Sequence, residues 1–269
     1  MSGVDDGERR WVDSMPDAYE RGLVPAVFTP YAREICRRAA AKRPQRVLEL
    51  AAGTGALTRE LVPMVASAAI TATDLSADMV ELGRANAPGA TWRPADAMDL
   101  PFEDGAFDLV TCAFGIMFVP DKRTCFAEVR RVLDEPGTFL FALWGRLQDH
   151  GFQNCVVEAV HALFPDDPPT FLEAVPHGYH DPDVIGADLD AAGLDCVDIG
   201  TVTLPSVAES ARDIAVGYCQ GTPLRAQIEA RGSLHDTTNA VAAELAKRFG
   251  NHPIRGSMAA VLVEATPRR

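Results

Sequence analysis

The chain of 269 residues is poor in positive charge: 25 Lys and Arg face 38 Asp and Glu, giving a formal charge of -13. Such a balance repels phosphate backbones and anionic lipid surfaces, which argues against nucleic acid and membrane faces as main partners. No apolar run approaches the ~20 residues of a membrane span. The six cysteines (Cys36, Cys112, Cys125, Cys155, Cys196 and Cys219) include no C-x-x-C pair, and no His cluster completes a zinc pattern. No metal site is expected. Cys112, Cys125 and Cys155 stand in apolar or helix-like stretches, where a thiol acts as a small hydrophobe. Internal repeats and low-complexity tracts are absent. The opening MSGVDDGERRW has no basic segment leading into an apolar run, so no secretory leader is expected, and the expectation is a reduced, cytoplasmic protein.

What is present is a core. Apolar residues make up 47% and charged residues 23%, which places the chain among globular proteins rather than disordered or fibrous ones. Residues 11–43 read as short helices broken by Pro16, Pro25 and Pro30, with 31–42 the clearest and Trp11 as packing. Strands are expected at 46–50, 69–74, 90–93, 107–114 and 138–144, with helices at about 55–66, 76–86 and 122–133 between them. This alternation implies βαβ units and a parallel sheet, with right-handed crossovers covering both faces. The rhythm breaks over 146–180. It resumes with a helix at 182–192 and a strand at 195–204, then helical material over 206–250 and a last strand at 255–265.

The densest signal is Val47-Leu48-Glu49-Leu50-Ala51-Ala52-Gly53-Thr54-Gly55. A buried strand runs into two glycines that let a ligand approach the backbone before a helix begins. The same pattern also fits an ordinary strand–turn–helix packing pair. Asp74 closes the next strand, nineteen residues after Gly55, where a carboxylate can accept both ribose hydroxyls of a nucleoside. A dinucleotide site wants G-x-G-x-x-G and a helix N-terminus aimed at a pyrophosphate. Here Thr58 holds the third glycine's place, and a charged Glu49 beside the turn would repel pyrophosphate while suiting a cation. S-adenosylmethionine carries a sulfonium and an ammonium and no phosphate. Asp96, in Pro94-Ala95-Asp96-Ala97, can accept an adenine amino group while the Ala97 amide donates to the ring; a helix N-cap is the alternative.

Together these stretches resemble the class I S-adenosylmethionine-dependent methyltransferases, in the methyltransferase type 11 group that includes the ubiquinone/menaquinone C-methyltransferases. The residues that carry the resemblance are VLELAAGTGALT (47–58), ITATDLS (70–76), ADAMDLPFEDGAFDLV (95–110), CAFGIMFVPD (112–121) and EVRRVLDEPG (128–137), in family order over roughly 45–145. The resemblance implies an α/β fold: a Rossmann-like, doubly wound, seven-stranded, mostly parallel sheet with helical lid insertions. It divides the chain into an N-terminal helical lid segment (1–44), a cofactor-binding core (45–145) and the rest of the sheet with lid insertions (146–269, with 146–180 and 206–250). It implies S-adenosyl-L-methionine as cofactor and S-adenosyl-L-homocysteine as product. Glu49, Ala51, Gly53 and Gly55 would surround the methionine part, with Thr58 beside them. Asp74 would hold the ribose, Leu75 and Met79 would lie against the adenine, and Asp96 and Ala97 would take its edge. Ala113 and Phe114 would line the floor near the methyl group, although the family often has Ser where this chain has Ala113. Tyr19, in AYERGL, matches an aromatic lid position.

Expectations for the acceptor rest on less. Trp144 ends a strand beyond which ligands of such sheets bind, and Tyr218 and Gln220 lie in GYCQGTPLR (217–225), a candidate substrate wall. His150, His177, Tyr179 and His180 fall in the expected lid, and Asp166-Asp167 reads as a solvated loop rather than a magnesium site. Phe152, Phe164, Phe171, Tyr179 and Tyr218 suit an apolar or aromatic small molecule, such as a quinol, phenol or natural product. No catalytic residue is named. In-line displacement at a sulfonium asks mainly for alignment, worth ~7–11 kcal/mol, and a base matters only for an acceptor that stays protonated. A nicotinamide-dependent oxidoreductase is the alternative, disfavoured by Thr58 and Glu49; a non-catalytic S-adenosylmethionine-binding protein is another. A homodimer built through 206–250 competes with the lid as that segment's role.

Overall fold

Short runs of aliphatic, β-branched and aromatic residues become the strands in the computed structural model, which describes residues 15–268. Trp11 and the first residues of the 11–43 helical segment lie outside the described residues. In chain order come α1 (Met15–Gly22), a π-turn (Val24–Phe28), α2 (Thr29–Ala41), β1 (Arg46–Glu49), α3 (Ala56–Met64), β2 (Ala69–Asp74) and α4 (Ala77–Asn86). Next are β3 (Thr91–Pro94), β4 (Phe107–Ala113), α5 (Lys122–Val132), β5 (Leu133–Trp144), α6 (Gly151–Leu163), α7 (Phe171–Ala174) and α8 (Pro182–Ala191). The chain closes with β6 (Leu194–Ala208), α9 (Ala211–Gly221), α10 (Leu224–Glu229), α11 (Leu234–Phe249) and β7 (Ile254–Pro267). It divides into two units. One holds Tyr31–Gly145, Gly178–Val202 and 260–268; the other holds 15–30, Arg146–His177 and Thr203–Ala259.

The seven strands form one sheet in the order β3-β2-β1-β4-β5-β7-β6. β1 to β5 run parallel, with Val47 beside Ile70 and Leu109, and β7 runs antiparallel to β5. Strands covered on both faces need no polar alternation; Val47, Leu48, Leu109, Val110 and Phe139 to Leu143 are all buried. Two boundary differences have a clear physical cause or consequence. α5 stops at Val132 because Leu133 already pairs with Phe107, and a register shift then carries the Asp134–Gly137 stretch before regular pairing resumes at Leu109–Thr138. β6 continues to Ala208, so the expected helical stretch begins only at α9. The order reverses on either side of β1. Connections leaving the carboxyl ends of β1 and β4 diverge, and such a switch point leaves a crevice for a ligand.

In the second unit, α1 and α9 meet backbone to backbone. A Cβ on Gly22 would lie 2.5 Å from the Asp213 carbonyl oxygen, and one on Gly221 would lie 2.5 Å from the Tyr19 nitrogen. The same unit buries His150 against His177, ring centroids 4.6 Å apart and edge to face. Burial, with the neighbouring imidazole next in importance, pushes the His150 pKa down to about 3. Its unfolded value is ~6.5. Between those values the unfolded chain binds a proton that the folded chain refuses. Its stability contribution is therefore complete above ~6.5 and declines as pH falls, by at most about 1.4 kcal/mol per unit. The urea midpoint should be lower at pH 5 than at pH 7.5, and His150→Phe should narrow that gap; a gap unchanged in the variant removes His150 as its source.

Candidate functional site

The crevice is built by the turn that follows β1. Leu50 donates its backbone N–H to the Thr111 carbonyl and Ala52 to that of Thr73, so the chain stays tied to both flanking strands as it leaves the sheet. Three of the next residues then adopt left-handed backbone: Ala51 (φ 50°), Gly53 (φ 56°) and Gly55 (φ 88°). For Gly this costs little, while for Ala51 it stores strain of the kind that concentrates at functional sites. Among the described residues a Cβ on Gly53 would meet nothing within 4 Å, so the described part of the chain leaves the space before this backbone open. Gly55 answers a different demand: its Cβ would press on the Trp92 ring at 3.3 Å. Trp92 in turn donates its indole N–H to the Ala87 carbonyl, and Asn86 donates its amide to the Thr54 carbonyl at 2.9 Å. These two supports under the turn were not anticipated from sequence. Gly83, inside α4 and with no room for a Cβ beside Trp92, was the readable sign of that close approach.

Asp74 joins the turn to the end of β2. Its two carboxylate oxygens accept the Gly53 N–H at 2.8 Å and the Ser76 N–H at 3.0 Å. Burial pushes its pKa up, opposed by these backbone donors. Ser76 then caps α4 by accepting the Met79 N–H. Leu75, just beyond, is 55% exposed, a large apolar side chain open at the rim of the crevice. Met79 is buried on the inner side of α4. The Asp74 carbonyl accepts the Ala95 N–H, which brings the half-buried Asp96 and Ala97 alongside. Asp96 accepts the Met98 N–H at 2.8 Å and so organises a tight turn; it caps no helix.

Beneath the turn lies Glu49, buried, accepting a 2.8 Å hydrogen bond from the Thr58 hydroxyl of α3. Burial, together with the nearby Asp74 and against the Thr58 bond, pushes its pKa up to about 8. A raised pKa weakens the repulsion of pyrophosphate expected from a charged Glu49, and Thr58 in the third glycine's place also separates this turn from a dinucleotide site.

The turn after β4 forms the opposite wall. Ala113 is half-buried, and Phe114 is left-handed (φ 59°), donating its N–H to the Ala142 carbonyl. Gly115 has no room for a side chain, since a Cβ there would fall 2.4 Å from that of Ala51. Phe114 stacks on Trp144 at 3.6 Å, and Tyr31 meets both rings edge-on while donating its hydroxyl to the Val202 carbonyl. Tyr31 is a third member of this group that sequence reading missed. Tyr19 packs on Phe28, Tyr218 is buried in α9, and Gln220 donates to the Thr238 hydroxyl. Tyr179 donates to Asp188, and Asp167 pairs with Arg231.

Comparison with known proteins bears on this cradle directly. The family described as "Methyltransferase domain" matches residues 48–141, the stretch that holds the end of β1, the glycine turn, Asp74, Asp96 and Phe114. These residues are similar to a methyltransferase domain. Within the domain, the chain is 43% identical over 105 residues to a malonyl-[acyl-carrier protein] O-methyltransferase of Geobacter sulfurreducens, covering 38% of this chain and 39% of that one. It is 33% identical over 121 residues to a demethylmenaquinone methyltransferase of Thermotoga maritima, covering 45% and 53%. The chain thus spans about half or less of these relatives, and the likeness is confined to the methyltransferase domain. Solved structures show the fold over more of the chain. The YcgJ protein of Bacillus subtilis superposes with a TM-score of 0.57 at 23% identity, covering 89% of this chain and 99% of that one. The [4+2]-cyclase SpnF does so with a TM-score of 0.56 at 17% identity, covering 90% and 81%.

Proposed function

We propose that this protein transfers a methyl group from S-adenosylmethionine to a small-molecule acceptor, apolar or aromatic in character. The observation that carries the reading is the Gly53–Asp74 pairing: open space in front of left-handed Gly53, with a carboxylate fixed beside it by two backbone amides. That arrangement fits a nucleoside whose ribose hydroxyls donate to Asp74. Exposed Leu75 would take the adenine face, and Asp96 and Ala97 its edge. Glu49, Ala51, Gly53, Gly55 and Thr58 would surround the methionine part, and Ala113 and Phe114 would face the methyl. When bound, the cofactor supplies an electrophilic methyl on a sulfonium that is already a good leaving group. The chain's own residues orient the reactants and exclude water, and no base is assigned. The methyltransferase relatives named above support methyl transfer, and the demethylmenaquinone methyltransferase among them supports an apolar ring as acceptor. The setting proposed is cytoplasmic and reducing, in keeping with six free cysteines.

One calorimetric comparison tests this. Titration with S-adenosylhomocysteine should give a saturable heat and titration with NAD none; the reverse would make the protein a nicotinamide enzyme. Turnover of quinols, phenols and polyketide-like acceptors then identifies the substrate. The described residues include no group of three or more His, Cys, Asp or Glu placed to hold a metal. EDTA should leave both cofactor binding and methyl transfer unchanged, and loss of transfer restored by magnesium would contradict this.

A further inference from the structure

We infer that Glu49 carries a proton in the empty cradle and releases it when a cationic ligand docks, so that cofactor loading is coupled to proton release. The inference rests on reading the cradle as a site for S-adenosylmethionine. Glu49 is 1% exposed at the end of β1, directly under the turn. The Thr58 hydroxyl on α3 is its hydrogen-bond partner. The titratable groups facing it come from three other elements: Asp74 from β2, Cys36 from α2 and Cys112 from β4. Burial raises both thiols and keeps them neutral. None of these groups is a cation, and among the described residues no ion pair joins Glu49 or Asp74 to Lys, Arg or His. An ionised Glu49 would then be a buried charge beside a second carboxylate, with no counter-charge among the described residues, the arrangement that most favours protonation.

An ammonium or sulfonium entering above the turn supplies the missing counter-charge and so selects the ionised carboxylate. With a free-site value of about 8, roughly nine-tenths of the empty protein carries this proton at pH 7. The sign follows from linkage. Below that value each unit of pH removes protons that would otherwise compete with the ligand, so affinity rises with pH, by up to about tenfold per unit. The useful window is pH 6 to 7, where the ligand's own amino group (~7.7–8.0) stays mostly charged.

The probe is S-adenosylhomocysteine, titrated calorimetrically into the full chain at pH 7 in phosphate and in Tris, buffers of low and high ionisation enthalpy. The expected result is close to one proton released per ligand, with affinity rising about tenfold from pH 6 to 7. Glu49→Gln should release almost none and bind with a flat pH profile. Thr58→Val removes the hydrogen bond that favours the ionised form, so the affinity profile should shift to higher pH while the protein remains folded. Binding with identical heats in both buffers overturns the proton coupling and leaves the proposed function standing. Absence of any binding overturns both.

Discussion

Gly53→Val should weaken S-adenosylhomocysteine binding by at least about 100-fold while the protein still unfolds as a cooperative unit. Two effects combine at this position. The native φ of 56° lies in the left-handed region, and a β-branched side chain there costs ~1–2 kcal/mol or more. The side chain would also project into the space where a Cβ now meets nothing within 4 Å, the space proposed for the methionine part of the cofactor. A loss of about 100-fold is ~2.7 kcal/mol in affinity, whereas the strain alone is modest against the ~5–15 kcal/mol stability of an ordinary domain. Gly53→Ala should fall between wild type and the valine variant. Calorimetric titration beside a thermal melt separates the two effects. Normal binding by Gly53→Val, with an unchanged melt, would mean that the turn is only structural and the ligand lies elsewhere.

Asp74→Ala is the second large effect, a loss of at least ~1.5 kcal/mol in S-adenosylhomocysteine affinity, more than tenfold. The carboxylate does two things at once. It accepts the Gly53 and Ser76 amides, which holds the glycine turn and the first turn of α4 in register. Its remaining lone pairs are then directed to the crevice, where ribose hydroxyls would donate. Asp74→Asn tells these roles apart. The amide keeps one carbonyl oxygen for a backbone donor but gives up the second acceptor and the charge, so binding should drop with a smaller change in melting temperature than the alanine variant shows. Unchanged affinity in Asp74→Ala would remove this residue from the ribose role.

Much of the fold was legible because it rests on local patterns. Runs such as Val47-Leu48 and Phe139 to Leu143 are apolar without alternation, which only a strand covered on both faces tolerates. Ser76 ahead of α4 is a helix cap readable from residue type alone, and Asp121 caps α5 in the same way in the folded chain. The glycine turn was legible as a close-approach site because Gly53 and Gly55 are the residues that accept left-handed backbone at little cost. Ala51 and Phe114 gave no such signal: both are left-handed without being glycine, and only packing around them makes that conformation the stable one.

The sequence by itself therefore determined the alternation of strands and helices, the turn after β1 and the acidic residue that ends β2, since each depends on neighbours a few positions away. Tertiary structure alone decided the rest. It assigned Tyr31 and most of α2 to the sheet unit and residues 15–30 to the other. It brought Tyr31, Phe114 and Trp144, far apart in the chain, into one aromatic group. It also set the surroundings of Glu49, which push its pKa up. A glutamate in a sequence reads as an anion, but here α2, α3, β2 and β4 close around the carboxyl, remove it from water and supply a hydroxyl, two thiols and another acid rather than a cation. Protonation state depends on the solvent and charges within a few ångströms, and those neighbours exist only once the chain has folded.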